Sequence, residues 1–314
     1  MSSVLVTGAS GFLGRQCLPI LVAKGYDVHA LSRRRIEAPL PGVAWHELDL
    51  LAAGAPREIM NRVQPERLLH LAWYAAPGKY WEARENMEWV RASIELLSAF
   101  IENNGKRVVA AGSCAEYALN PGECFEEKTL LLPTTLYGTC KHAFGSILES
   151  VSRQEKLSAA WGRIFFLYGP HEHASRLVAH VVQSLLHGEP ALCSDGKQVL
   201  DFLHVEDAAS AFVALLENEI QGPVNVASGR PIMVRDLLQE VGKQTERAEL
   251  IRLGARESSS QVSNIWANVG KLTSETKWKP RYDLASGIQQ TIEWWRNSEG
   301  LREIEPAGEA RQPS

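Results

Sequence analysis

Hydrophobic positions along the chain fall into two alternating kinds of run. Residues 4–6, 28–31, 67–71, 106–111 and 158–167 are short and largely apolar, and 4–6 is largely β-branched as well. Runs of this length, bounded by glycine, proline or charge, read as buried strands. Between them, 15–23, 82–103, 136–155 and 176–187 read as helices. In 82–103 the apolar residues Val90, Ile94, Leu97 and Ile101 recur at helical spacing. Residues 45–50 read as a further strand and its turn, with Asp49 as cap of the helix expected to follow. Strand and helix alternating in this way predict a parallel, doubly wound α/β sheet. Strands at 198–205 and 223–227 and helices at 208–217, 234–244 and 284–295 complete the pattern. After about residue 297 periodicity stops, and 298–314 reads as a mobile tail.

Composition narrows the class. The chain has 314 residues, 45% hydrophobic and 22% charged, with a formal net charge of −4. That charge gives no attraction for nucleic acid or an anionic membrane. No apolar run approaches the roughly 20 residues that span a bilayer, and no leader pattern precedes the first strand. Five cysteines, at 17, 114, 124, 140 and 193, form no C-x-x-C pair. They read as reduced thiols, which places the chain in the cytoplasm.

Two motifs carry chemistry. Gly8, Gly11 and Gly14 stand between the first strand and the first helix, spaced G-x-x-G-x-x-G with Phe12 and Leu13 inside. A strand, a glycine turn and a helix N-terminus aim backbone N–H groups at one point and suit a pyrophosphate. Tyr137 and Lys141 lie four apart on a predicted helix and so share a face. A neighbouring ammonium would favour the phenolate and lower the tyrosine pKa, making Tyr137 a usable acid or base. Ser113 ends the strand upstream of that pair. At the end of the second strand stands Ser32, followed by Arg33 and Arg34, where an NAD-preferring site usually has a carboxylate. Arginine forks onto phosphate oxygens, so this favours the 2′-phosphate of NADP(H); NAD(H) stays open, as does a reading of solvated surface arginines.

In this order these motifs closely resemble the extended short-chain dehydrogenase/reductases, within the NAD(P)-dependent epimerase/dehydratase family that modifies nucleotide sugars. Tyr168-Gly-Pro170, Asp201 to Val205 with Asp207, and Trp278-x-Pro280 extend the likeness over almost the whole chain. The resemblance implies a Rossmann-like dinucleotide domain formed by 1–167 and 198–227. A smaller, discontinuous C-terminal α/β substrate lobe then comprises 168–197 and 228–297. Ser113, Tyr137 and Lys141 become the catalytic set. Asp49 and Leu50 lie by the adenine, and Leu71, Ala72 and Trp73 under the nicotinamide ribose. Trp73 replaces a small family residue and walls the active site. A homodimer paired through 82–103 and 136–155 is also implied.

Departures sort the activities. Dehydratases of the family follow the catalytic Ser or Thr with Asp-Glu; here Cys114 and Ala115 follow Ser113, and Glu116 comes one residue later. Phe166 and Leu200 stand where many relatives carry an Asn and an Arg for the sugar-nucleotide diphosphate. That leaves His171, His173 or Arg176 to meet an anion. The substrate surface is assigned to Trp73, Ser113, Cys114, Ala115, Phe166, His171 and Arg176, with no metal, since His171-Glu-His173 cannot converge on a tetrahedral ion. The first expectation is an NADPH-dependent 4-ketoreductase of a nucleotide-linked 4-keto-6-deoxyhexose. The alternatives are an epimerase with tightly bound NAD(H), a reductase of a non-nucleotide substrate, and a non-catalytic NADP-binding scaffold.

Overall fold

The computed structural model describes residues 2–257 and 262–300. In chain order it contains β1 (Ser3–Thr7), α1 (Gly14–Ala23), β2 (Asp27–Ser32), β3 (Val43–Glu47), α2 (Ala55–Val63), β4 (Arg67–His70), α3 (Glu85–Glu102), β5 (Arg107–Ser113), β6 (Gly122–Cys124) and α4 (Leu136–Glu155). Then follow β7 (Ser158–Ile164), β8 (Phe166–Tyr168), α5 (Leu177–Leu186), β9 (Ala191–Leu192), β10 (Val199–His204), α6 (Val205–Glu217), β11 (Gly222–Val226) and β12 (Pro231–Met233). The chain closes with α7 (Val234–Gln244), β13 (Ile251–Arg252), β14 (Asn264–Ala267), α8 (Gly270–Thr276) and α9 (Leu284–Ser298).

Seven strands form one parallel sheet in the order β11-β7-β5-β4-β1-β2-β3. Val4, Leu5 and Val6 are fully buried, as a strand covered on both faces requires. Helices α1 and α6 cover one face, with Leu18, Leu21, Phe212 and Leu216 in the core. Helices α2, α3 and α4 cover the other, with Ile59, Leu96, Phe100, Phe144 and Leu148. Strand order reverses between β1 and β4, which opens a crevice at their C-terminal ends.

A second sheet, β12-β10-β14-β6 with β8 beside β10, packs under α5, α7 and α9. Two expectations change here. The run 158–167 is mostly apolar, broken by Arg163, but is not one strand. It ends at Ile164, the Phe165 N–H donates to Val226 O, and Phe166–Tyr168 moves to β10 in the small sheet. Strand β10, grouped by sequence with the dinucleotide domain, belongs to that small sheet as well. Hydrophobicity reports burial, and both sheets bury it equally.

Among the described residues no helix is long and apolar enough to cross a membrane. Helix α9 runs to Ser298, one residue into the expected tail, and 301–314 lie outside the described residues.

Candidate active site

The glycine turn sits at the crevice. Gly8 has a φ of +67°, and a Cβ there would come within 2.7 Å of the Ala72 nitrogen. A Cβ on Gly14 would overlap the Gly8 carbonyl oxygen, so that position permits the contact of turn and helix. Helix α1 begins with no side-chain cap and no acidic residue in its first turn. Its positive end therefore faces the cradle unneutralised, as an anion site requires. Arg15 bonds back to Ser10 O at 3.0 Å and closes the turn from outside.

Beneath the turn, the Thr7 hydroxyl pairs with His70 Nδ1 at 2.7 Å and accepts from the Ala72 N–H at 3.2 Å. His70 Nε2 pairs with Ser93 at 2.9 Å. Burial, then the Lys141 charge, pushes the imidazole down to about 3, so it stays neutral and ties β1, β4 and α3 together. Leu71, Ala72 and Trp73 follow. The Trp73 indole donates to Asn86 Oδ1 at 2.9 Å, and the Asn86 amide donates to Tyr80 O at 2.7 Å and Ala83 O at 2.9 Å. Asn86 is fully buried. It is the support that fixes Trp73 and the 74–84 loop.

Ser113, the last residue of β5, is brought next to Tyr137, near the start of α4, close enough for its hydroxyl to hold down the Tyr137 phenol against burial. Thr135 caps α4, accepting from the Gly138 N–H at 3.1 Å. Lys141 is buried; its ammonium donates to Ala111 O at 2.8 Å and stands 3.8 Å from the centre of the Trp73 ring. Desolvation brings it down to about 7, against a rise from the Glu116 charge. The expected lowering of the tyrosine is absent. Lys141 is 5.9 Å from the Tyr137 ring and directed elsewhere, while burial, then Tyr80, pushes the Tyr137 phenol up. In this state Tyr137 is a neutral proton donor.

Glu116 is turned away from Tyr137. Its carboxylate accepts from the Ser113 N–H at 2.8 Å, the Trp161 indole at 3.0 Å and Arg163 Nε at 2.9 Å, with no exposure at all. The turn after Ser113 therefore offers the cleft only Cys114 and Ala115, both half-buried. A hydroxyl pair without a facing carboxylate can move a proton at a carbonyl or alcohol oxygen, but it holds no acid–base couple for β-elimination.

The remaining predicted residues divide. Ser32 is buried at the end of β2, donates to Ser10 at 3.4 Å and accepts from the Arg34 N–H at 3.3 Å; Arg33 and Arg34 are exposed beside it. Asp49 does not cap α2, which begins six residues later behind Gly54. Its carboxylate accepts from the Leu51 N–H at 3.0 Å, in its own turn. Leu50 is core. Leu200 also packs into the small-sheet core, and Phe166 pairs with Phe202, ring centres 5.7 Å apart. His171, expected at the substrate, instead pairs with Arg15 and lies 4.5 Å from the Trp294 ring, bridging the two ends of the chain. Arg176 does reach the site, through Tyr80. Tyr80 and Trp81 were not predicted: they pack edge-on against Tyr137, with centres 4.8 and 5.8 Å away, and Trp81 O accepts from the Tyr137 N–H at 2.9 Å. Only the aromatic pair beside a proline–glycine loop hinted at them.

A glycine cradle at an uncapped helix end, with Ser113, Tyr137 and Lys141 beside it at the crevice, defines an enzyme of the nicotinamide-dependent, oxidoreductase type. Residues 4–227 match the model of the NAD dependent epimerase/dehydratase family, and the chain belongs to that family. It is 26% identical to a UDP-glucose 4-epimerase of Rhizobium leguminosarum bv. trifolii, over 94% of this chain and 98% of the relative. It is 23% identical to the CDP-abequose synthase of Salmonella typhimurium, over 92% and 97%. Among solved structures, MoeE5 in complex with UDP-glucuronic acid and NAD is 28% identical with a TM-score of 0.81, covering 95% of this chain and 100% of that one. The UDP-glucose 4-epimerase of Thermotoga maritima shares the fold, with a TM-score of 0.84 at 22% identity over 95% and 99%.

Proposed function

We propose that the protein is a nucleotide-sugar 4-epimerase that works with a nicotinamide dinucleotide held at the Gly8–Gly14 cradle. The observation that carries the reading is Ser113 set against Tyr137 beside Lys141, with Glu116 withdrawn into its ion pair. The named 4-epimerases among its relatives favour this over the ketoreductase expected from sequence. When bound, the dinucleotide supplies hydride acceptance and return. Tyr137, as the phenolate, would take the proton of the sugar hydroxyl as it becomes a ketone and return it to that same oxygen when the alcohol re-forms. Ser113 donates to the same oxygen and holds it on Tyr137. Lys141, poised near neutrality over Trp73, contributes positive charge when protonated and favours the phenolate. Trp73 fixes the lysine.

A second reading, an NADPH-dependent ketoreductase, is favoured by one feature. Ser32, Arg33 and Arg34 stand at the end of β2 without a carboxylate. One set of assays separates the two. Purified enzyme denatured with acid should release about one equivalent of NAD(H), and UDP-glucose, UDP-glucuronic acid or a related nucleotide hexose should convert to its 4-epimer without net cofactor change. Empty enzyme that oxidises NADPH stoichiometrically against a 4-keto sugar establishes the reductase. Tyr137→Phe should remove turnover in either case and leave cofactor binding intact.

A further inference from the structure

Tyr80 and Arg176 come from opposite sides of the crevice, the first from the loop after β4 and the second from the N-cap of α5. The Arg176 guanidinium faces the Tyr80 phenol, its carbon 5.4 Å from the ring centre, and its charge pulls the phenol's pKa down against the rise from burial. The Tyr80 ring stands edge-on to Tyr137 at 4.8 Å and is held by Trp81 at 4.3 Å. The loop itself is pinned from below, where the buried Asn86 amide donates to Tyr80 O. A phenol held this firmly beside the proton carrier, with a cation against it, is more than filling.

We propose that Tyr80 and Arg176 form a substrate-orienting pair. Arg176 occupies a lone pair of the Tyr80 oxygen and leaves the O–H to donate to a substrate oxygen adjacent to the carbon that reacts at Tyr137. The guanidinium sharpens that donor, because a hydrogen bond assisted by charge is stronger than a neutral one. The recognised group is an uncharged hydroxyl or carbonyl oxygen of the sugar ring, rather than its nucleotide. The inference rests on Tyr137 as the proton carrier.

The test compares unsubstituted enzyme with Tyr80→Phe on the hexose it turns over and on the same sugar lacking the hydroxyl next to the reacting carbon. Tyr80→Phe should lower kcat/KM on the full sugar about 10- to 100-fold, with cofactor affinity and unfolding midpoint unchanged. It should cause no further loss on the deoxy sugar. Losses that add, or a Tyr80→Phe rate within about twofold of the original, overturn the pair while leaving the reading of Tyr137 intact. An unsubstituted enzyme with no nucleotide-sugar turnover overturns that reading instead. A measurement without substrate then decides the pair: the ultraviolet titration of the phenols in cofactor-free protein. Arg176→Gln should raise the titration of the phenol that Tyr80→Phe removes. An unmoved titration overturns the pairing.

Discussion

Replacing Lys141 by Met should stabilise the cofactor-free protein near neutral pH while removing its activity. The ammonium is buried, and its pKa falls from 10.5 to about 7. A depressed lysine costs stability as pH falls, because the unfolded chain binds the proton first. The cost is absent above pH 10.5, grows through the window down to 7, and is complete below it. At about 1.36 kcal/mol for each of the 3.5 units between 10.5 and 7, the cost reaches on the order of 5 kcal/mol, and most of it is present at pH 6.5. Methionine removes that cost and also the donor to Ala111 O, a loss of about 1–3 kcal/mol. The balance is a gain of roughly 2–3 kcal/mol at pH 6.5 and a loss of about 1 kcal/mol at pH 10. Urea unfolding of both proteins at the two pH values measures the change of sign. A difference between them that shifts by less than about 1 kcal/mol across that range would refute a buried, depressed Lys141.

Three further perturbations read other parts of the site. Gly14→Ala gains up to about 1 kcal/mol of helix propensity, but its Cβ overlaps the Gly8 carbonyl oxygen. Overpacking of about 1–3 kcal/mol wins, and calorimetry should find weakened dinucleotide binding. Glu116→Gln leaves Arg163 buried without its counter-charge; unfolding should show a loss of about 3–5 kcal/mol, and an unchanged midpoint would remove Glu116 from the support of Ser113. Glu172 is buried, has an oxygen without a partner, and is pushed up to about 8, by burial above all. A raised carboxyl pKa means that its stability contribution is present below pH 4.5 and is lost as pH rises through 8. Glu172→Gln should therefore be near neutral at pH 4.5 and stabilising by a few kcal/mol at pH 8.5, read by thermal unfolding.

What sequence could reach follows from what each signal measures. The glycine turn, Ser113 and the Tyr137–Lys141 pair were legible because they are local. Three glycines between a strand and a helix allow one backbone path, and a spacing of four fixes one helix face. Expectations that depended on where an apolar run finds its partner went astray. Residues 158–167 read as one mostly hydrophobic run, yet Ile164 hydrogen-bonds within the large sheet and Phe166 within the small one. The electrostatic expectation failed for a related reason. Spacing placed Lys141 beside Tyr137, but the ammonium rotates to Ala111 O and the Trp73 face, leaving burial to dominate the phenol. Trp73 was read as a wall of the site and is also the lysine's platform. Tyr80, Asn86 and Arg176 lie 57, 51 and 39 residues from Tyr137 in sequence, and no periodicity links them. Their assembly is tertiary: β4, α3 and α5 deliver them to one crevice, and a single buried amide, Asn86, decides how the loop between the first two closes over the reacting group.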